Sequence, residues 1–302
     1  MEPLREPASR HGAGRRGRLQ RRLRQGVPSR LRRRSQALSR AATRPGCRRD
    51  MNVSHAHFTG AGSRTSNQDC IGFQLSEDRA CFVVSDGIGG APGGEVAARC
   101  AVDSVLACWS GSERPVAELA RACVKAANAA IVARQEHDLA HRHMSATVVA
   151  LFLDRRNATA QWAHVGDSRL YRFRRGALLD RTRDHSVTQR MSDAGFPGNG
   201  ISPNLLHMAL GMRGPISPGH SGVHSLQDGD VFLLCTDGFW QLVPEKTIEH
   251  RLRIVQSVDD WICLLEHEAS RSCEHSGHGD NYSALAVWIG RPENVTLMNV
   301  RP

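Results

Sequence analysis

The sequence predicts an α+β fold in which antiparallel β-sheets pack on each other and α-helices lie outside them. Candidate strands outnumber candidate helices, and the two long early helices follow one another directly instead of alternating with strands. A chain of 302 residues that is 40% hydrophobic can also bury a full core. Regular alternation of strands and helices would instead have predicted a parallel α/β sheet.

Seven segments rich in Val, Leu, Phe, Trp or Ala are predicted as strands. They are 71–75, 80–85, 145–153, 159–165, 169–174, 230–236 and 283–289. The stretch HVGDSRLYRF is predicted to form two strands joined across Gly166–Asp167.

Four helices are predicted from apolar residues at helical spacing. They are 94–109, 115–137, 184–194 and 257–272. Trp261 is expected in the core rather than in a binding site. Residues 195–225 are rich in Gly and Pro, and we expect them to form a long surface flap.

The positive charge of the chain is confined to its first 50 residues, a segment expected to be disordered. The net charge is +10, but residues 1–50 hold 16 Arg and no Lys against three acids. Residues 51–302 therefore hold 24 basic and 27 acidic residues. The Arg-rich tail could bind nucleic acid or a membrane surface, act as an organelle transit peptide, or not be translated at all. We favour the last, with Met51 as the true start.

The cysteines and the hydropathy pattern predict a soluble cytoplasmic protein. The nine cysteines are an odd number, form no CxxC pair and lie partly inside apolar runs, as reduced buried thiols do. No secretory signal or membrane-spanning stretch is evident, so no membrane association is expected.

Five aspartates mark the ends of predicted strands. They are Asp69, Asp86, Asp167, Asp237 and Asp280. Each alone could simply cap a turn or a helix. Five at hydrophobic boundaries suggest convergence at one end of the sheets, where their mutual repulsion would require divalent cations such as Mg²⁺ or Mn²⁺. Two such ions can activate a water for attack at phosphorus, so spacing alone predicts a metal-dependent hydrolase, most simply of phosphoesters.

Six motifs follow one another along the chain: RTSNQD, VVSDGIGG with GGEVAA, SATVVALFL, AHVGDSRLYRF with TRDHSV, LLCTDGFWQLV and GDNYSALAVWI. In this order they resemble the metal-dependent serine/threonine phosphatases of the type 2C family in their bacterial form. The resemblance extends from about residue 57 to 290. It implies a single phosphatase domain within 51–302, with a central β-sandwich flanked by helices in four αββα layers.

The resemblance also implies a role for each matching residue. Asp86 matches the carboxylate that bridges two Mn²⁺ or Mg²⁺ ions, and Gly87 matches a backbone-carbonyl ligand. Asp237, Asp280 and Asp69 match the other acids of that centre, and Asp167 matches a position that helps hold a third, weaker ion. Arg64 matches the arginine that grips the substrate phosphate, which suits a bidentate guanidinium.

The implied reaction is direct attack of a metal-activated water on a phosphoserine or phosphothreonine phosphorus, without a covalent phosphoenzyme. The implied partners are phosphorylated proteins and an opposing serine/threonine kinase, and a monomer is expected. DGFWQLV and DNYSALAVW are similar to phosphatases of type VI secretion clusters.

Two departures from the bacterial motif stand out. Ile88 replaces a Met at similar volume, whereas Ala91 replaces a His and leaves protonation of the leaving group unassigned. For that reason a catalytically weak or inactive phosphatase-like binding module stays open as the alternative.

Other motifs favour plainer interpretations. No Lys follows GGEVAA at P-loop spacing, which argues against a nucleotide-binding ATPase. The predicted domain lacks net positive charge, so nucleic-acid binding by it is not expected. We expect HDLAHRH to be a solvated helix end, His275 and His278 to lie in an ordinary loop, and Arg174–Arg175 to be a solvated hairpin tip.

Overall fold

A computed structural model describes residues 51–88, 93–112, 114–196, 200–202, 204–276 and 279–290. Ala91, His278 and the Arg-rich tail, on which expectations were stated above, lie outside these residues. The described strands are β1 (Val53–Gly60), β2 (Asp69–Leu75), β3 (Arg79–Asp86), β4 (Val148–Asp154), β5 (Thr159–Val165), β6 (Arg169–Arg174), β7 (Ala177–Arg181), β8 (Gly219–His220), β9 (His224–Ser225), β10 (Asp230–Cys235) and β11 (Tyr282–Ile289). The described α-helices are α1 (Gly94–Ser110), α2 (Val116–His137), α3 (Val187–Asp193), α4 (Asp237–Leu242), α5 (Glu245–Arg253) and α6 (Val258–Ser276).

Two antiparallel sheets form the centre of the structure. The first has the strand order β1-β11-β10-β6-β7, and the second has the order β2-β3-β4-β5-β8, with β9 also pairing with β5. The predicted α+β sandwich is therefore confirmed. The Gly166–Asp167 junction differs from a simple hairpin, since β5 belongs to the second sheet and β6 to the first.

Each central strand buries both of its faces, which explains the continuous apolar runs in the sequence. In β3, Phe82 faces the core between the sheets, whereas Val83 packs with α1 and α2. In β10, Phe232 faces the same intersheet core, whereas Leu233 packs with α4, α5 and α6. The result is four layers, with helices outside both sheets.

Four strands and two helices were missed by the sequence analysis. β1 alternates polar and apolar side chains at a sheet edge, and β7 is short and only partly buried. β8 and β9 have two residues each, and α4 has six, which is too short for a helical apolar period to show. The α5 sequence was missed because it buries only Ile248 and Leu252.

The flap expectation needs correction, because residues 195–225 are not all at the surface. Ala209 and Leu210 are fully buried, and Leu210 exchanges backbone hydrogen bonds with Ala146. The β8 and β9 residues of this segment pair with β5. Backbone pairing to a sheet edge, which leaves no apolar period, anchors the segment.

Candidate metal centre

The antiparallel topology brings the predicted aspartates to one end of the sandwich. Asp69 begins β2 and Asp86 ends β3, where the two are register partners. Asp237 follows β10, and Asp280 precedes its antiparallel neighbour β11. Asp167 lies in the crossover from β5 to β6.

Thr147 fixes the backbone of Asp86. The Asp86 N–H donates to Thr147 Oγ1 at 3.1 Å, and the Asp86 carbonyl accepts from the Thr147 N–H at 2.8 Å. Thr147 Oγ1 is in turn 2.6 Å from Ser168 Oγ, next to Asp167. This buried hydroxyl pair links the end of β3 to the crossover that carries Asp167.

The side chains of Thr236 and Gln241 orient Asp69 and Asp237. Thr236 Oγ1 donates to Asp69 Oδ2 at 3.0 Å. Gln241 Nε2 donates to Asp237 Oδ2 at 3.0 Å, one turn along α4, and also to Asn204 Oδ1 at 3.1 Å. The Asp237 carboxylate is thereby connected to the flap.

The carboxyl groups repel one another in a poorly solvated site. Burial, followed by the charges of Asp237, Asp69 and Asp167, raises the pKa of Asp86 well above its usual range. Burial raises the pKa of Asp69 to about 6 and that of Asp167 to about 7, with the charge of Asp237 adding to both. Burial, together with Asp280, also raises the pKa of Asp237. The four acids therefore form one electrostatically coupled cluster.

The donor set fits hard divalent cations. Asp69 Oδ1 is buried without a hydrogen-bond partner, which is a costly state for a carboxylate oxygen unless a cation takes it up. All four groups are oxygen donors, as Mg²⁺ and Mn²⁺ require. Among the residues described, no three His, Cys, Asp or Glu side chains form a ligand set for a single ion. An ion here would therefore draw further ligands from backbone carbonyls and water.

Glycine is sterically required beside Asp86. A Cβ on Gly87 would lie 2.2 Å from the carbonyl oxygen of Gly94, and the Gly87 N–H donates to the Gln68 carbonyl at 3.2 Å. This contact presses the segment after β3 against the start of α1.

Arg64 lies at the rim of the cluster. Its Nη2 donates to Asp280 Oδ2 at 2.9 Å, with side chains 56% and 42% exposed. A solvent-facing guanidinium beside the acids keeps donors available for an anion. A cleft of about 290 Å³ is lined by Arg169, Asp184 and Trp240 among others, and Trp240 connects it to the Asp167 carbonyl.

The sequence analysis missed the residues that hold these acids. Thr147, Thr236 and Gln241 hydrogen-bond the cluster, and Trp240 Nε1 donates to the Asp167 carbonyl at 3.0 Å. In the sequence, only the proximity of Thr236, Trp240 and Gln241 to Asp237 could have indicated that they support the cluster.

The plainer expectations have mixed outcomes. Trp261 is fully buried in the core, as expected. In HDLAHRH, His141 Nδ1 lies 2.6 Å from Asp138 Oδ2, an ordinary local pair at a helix end. The solvated-tip expectation was wrong for Arg174, which donates to the fully buried Asp230.

The amino-acid sequence is similar to those of known proteins. A profile described as protein phosphatase 2C matches residues 60–274. A serine/threonine phosphatase stp of Listeria monocytogenes is 29% identical over 246 residues, which cover 77% of this chain and 95% of that protein.

Solved structures of phosphatases have the same fold as this chain. The catalytic domain of the serine/threonine phosphatase PstP, crystallised with two manganese ions, superimposes with a TM-score of 0.67 at 25% identity. The match covers 80% of this chain and 99% of that one. PppA, a regulatory component of type VI secretion in Pseudomonas aeruginosa, is 24% identical with a TM-score of 0.60 over 78% of this chain and 97% of its own, which shows a shared fold only.

Proposed function

The chain belongs to the protein phosphatase 2C family and is a metal-dependent serine/threonine phosphatase, and we propose that the aspartate cluster at the end of its sandwich is the reaction centre. The observation that supports this proposal is the convergence of four mutually repelling carboxyl groups, of which Asp167 and Asp237 are buried and Asp69 has a buried, unpartnered oxygen. A stable protein keeps such a cluster only if something offsets the repulsion.

We assign the residues as follows. Asp86 would bridge two Mn²⁺ or Mg²⁺ ions, with Asp69, Asp237, Asp280 and the Gly87 carbonyl as further ligands. Asp167 would help hold a third, weaker ion. When bound, the ions lower the pKa of a water and offset charge on the phosphoryl oxygens.

The chain's own residues position the reactants. Thr147 holds the Asp86 backbone, and Thr236 and Gln241 hold the carboxylates of Asp69 and Asp237. Arg64 would bind the phosphate with the donors that it does not use on Asp280, because a guanidinium presents five N–H groups in a planar fork. The shallow, exposed position of Arg64 suits a phosphorylated side chain presented by another protein.

The substrates are phosphoproteins, and the natural counterpart would be a serine/threonine kinase. A cytoplasmic location fits the eight described cysteines, all of which are free thiols. A monomer stays a prediction. No helix in the described part of the chain is long and apolar enough to cross a membrane. The type VI secretion assignment stays a prediction.

The decisive experiment is hydrolysis of a phosphothreonine peptide by the full-length protein with Mn²⁺, with Mg²⁺ and with EDTA. Phosphate release should require metal and should fall at least about a thousandfold in Asp86→Asn and Asp237→Asn, since these changes remove transition-state stabilisation worth several kcal/mol.

Asp154→Asn is the matched control. Asp154 also ends a strand, but it lies at the end of β4 and accepts hydrogen bonds from Asn157. The phosphatase activity of Asp154→Asn should stay near that of the wild type. A folded wild-type protein that binds Mn²⁺ but releases no phosphate would overturn the proposal in favour of a phosphatase-like binding module.

A further inference from the structure

Asp167 occupies a stretch of backbone that no sheet supports. The segment between Val165, the last residue of β5, and Arg169, the first residue of β6, crosses from the second sheet to the first. Gly166 turns there with φ 101°, and a Cβ on it would lie 2.6 Å from the Thr147 side chain. The orientation of Asp167 therefore depends on contacts other than strand pairing.

Two side chains from distant elements hold this crossover by its backbone. From α4, Trp240 Nε1 donates to the Asp167 carbonyl at 3.0 Å. From the segment before α3, His185 Nδ1 accepts from the Gly166 N–H at 3.1 Å, and the His185 N–H donates to the Gly166 carbonyl at 2.9 Å. The peptide groups on both sides of Gly166 and the carbonyl of Asp167 are thus fixed.

The two holding side chains are themselves joined. The Arg169 guanidinium stacks 3.5 Å above the Trp240 ring and binds Asp184 through two hydrogen bonds of 2.9 and 2.7 Å. Asp184 directly precedes His185, whose ring stacks on that of His164 at 4.7 Å. The contacts close a ring around Asp167, which we call the crossover brace: Gly166, Asp167, Trp240, Arg169, Asp184 and His185.

The crossover brace also links two acids of the cluster, Asp167 and Asp237. Asp237 and Trp240 lie on the same short helix α4, three residues apart. Because Trp240 donates a hydrogen bond to the Asp167 carbonyl, one turn of α4 connects the Asp167 backbone to Asp237. Neither side chain carries an oxygen that could bind Mg²⁺ or Mn²⁺, so Trp240 would act by positioning Asp167 and, through α4, Asp237, whereas His185 would act by positioning the crossover.

We propose that Trp240 and His185 are positioning residues that set how tightly the cluster binds a cation at Asp167. The inference rests on the proposed function, since it concerns the third cation assigned above. Residues that orient a metal ligand typically change metal affinity by about 10- to 100-fold when they are replaced.

The test is direct Mn²⁺ binding to full-length protein, measured by electron paramagnetic resonance of free Mn²⁺. Trp240→Phe keeps an aromatic ring over Arg169 but removes the N–H donor to Asp167. We expect its weakest Mn²⁺ site to lose about tenfold in affinity. The Mn²⁺ concentration for half-maximal phosphatase activity should rise in parallel, while kcat at saturating Mn²⁺ stays within about twofold of the wild type.

Trp109→Phe is the matched control. Trp109 lies under Arg79, whose guanidinium is 4.0 Å from its ring, so it has the same Arg–Trp stacking far from the aspartates.

A second pair of variants tests His185. Asn places an acceptor oxygen near the position of Nδ1, so His185→Asn should bind Mn²⁺ as the wild type does, whereas the acceptor-free His185→Leu should show the weakened site.

Unchanged Mn²⁺ binding in folded Trp240→Phe, or only two bound ions in the wild type, would overturn the inference. If Trp240→Phe does not fold, equal binding by His185→Asn and His185→Leu would overturn it instead. These outcomes differ from failure of the proposed function, which would appear as absent phosphate release by the wild type with its Mn²⁺ binding intact.

Discussion

Asp69 and Asp86 face each other as register partners across β2 and β3, two carboxylates at adjoining strand ends. Among the ion pairs found in the described residues, none involves either acid. Thr236 donates to one Asp69 oxygen, and the other is buried without a partner. Antiparallel pairing thus places two acids side by side without a cationic partner. This pair destabilises the folded metal-free chain and favours the binding of a cation.

The metal-free protein should become less stable as pH rises from about 4 to about 7. The pKa of Asp69 is raised from 3.8 to about 6 and that of Asp167 to about 7, so the folded state holds more protons than the unfolded state across this range. Stability falls with pH wherever the folded state binds more protons.

Thermal unfolding in EDTA checks this sign. The Tm at about pH 5 should exceed that at about pH 7.5, and saturating Mn²⁺ should reverse the order because cations bind the deprotonated acids. Asp86→Asn should weaken the trend in EDTA, since it removes a carboxyl group whose own pKa is raised well above its usual range. A Tm in EDTA that rises with pH would contradict the repulsive cluster.

Arg64→Ala should raise KM for a phosphothreonine peptide by about tenfold with little change in Tm. A guanidinium–phosphate contact is a strong charge-assisted interaction, whereas the exposed Arg64–Asp280 pair contributes only about 0–1 kcal/mol to folding. Steady-state kinetics at saturating Mn²⁺ measures the effect. Arg156→Ala is the control, because the Arg156–Asp78 pair has nearly the same exposure, 57% and 42%. Equal KM values for both variants would remove Arg64 from phosphate binding.

Gly87→Ala should lower both Tm and Mn²⁺ affinity. The added Cβ would lie 2.2 Å from a backbone oxygen of Gly94, so the start of α1 or the end of β3 must move. Gly222→Ala provides the comparison, since a Cβ at Gly222 meets no atom within 4 Å. Differential scanning calorimetry with and without Mn²⁺ should separate the two variants. Wild-type behaviour of Gly87→Ala would show that this contact does not shape the centre.

Thr147→Val should reduce activity more than Thr147→Ser does. Val keeps the shape but removes the hydroxyl that accepts from the Asp86 N–H and meets Ser168 Oγ, whereas Ser retains it. An unpaired buried N–H costs about 1–3 kcal/mol, so we expect a loss of about tenfold or more in kcat/KM for Val. The reverse order of the two variants would indicate that methyl packing, not the hydroxyl, is what matters at this position.

Much of the fold could be predicted from the sequence because burial leaves a local signal. β3, β4, β10 and β11 are buried on both faces, so each is a continuous apolar run ended by an Asp or a turn. α2 and α6 show their apolar faces in the same way. β1 and β7 are half-buried, and α4 is shorter than two turns, so no such signal marks them.

The sequence by itself predicted which acids converge, since each Asp of the cluster interrupts an apolar run or a glycine turn where an unpaired charge is costly. It could not determine what holds those acids in place. Trp240 reaches Asp167 across 73 residues and Thr236 reaches Asp69 across 167, separations at which no periodicity links the partners. Only the packing of two sheets brings these residues within hydrogen-bond distance, because the contacts depend on which strands are neighbours and not on the order in which the chain forms them.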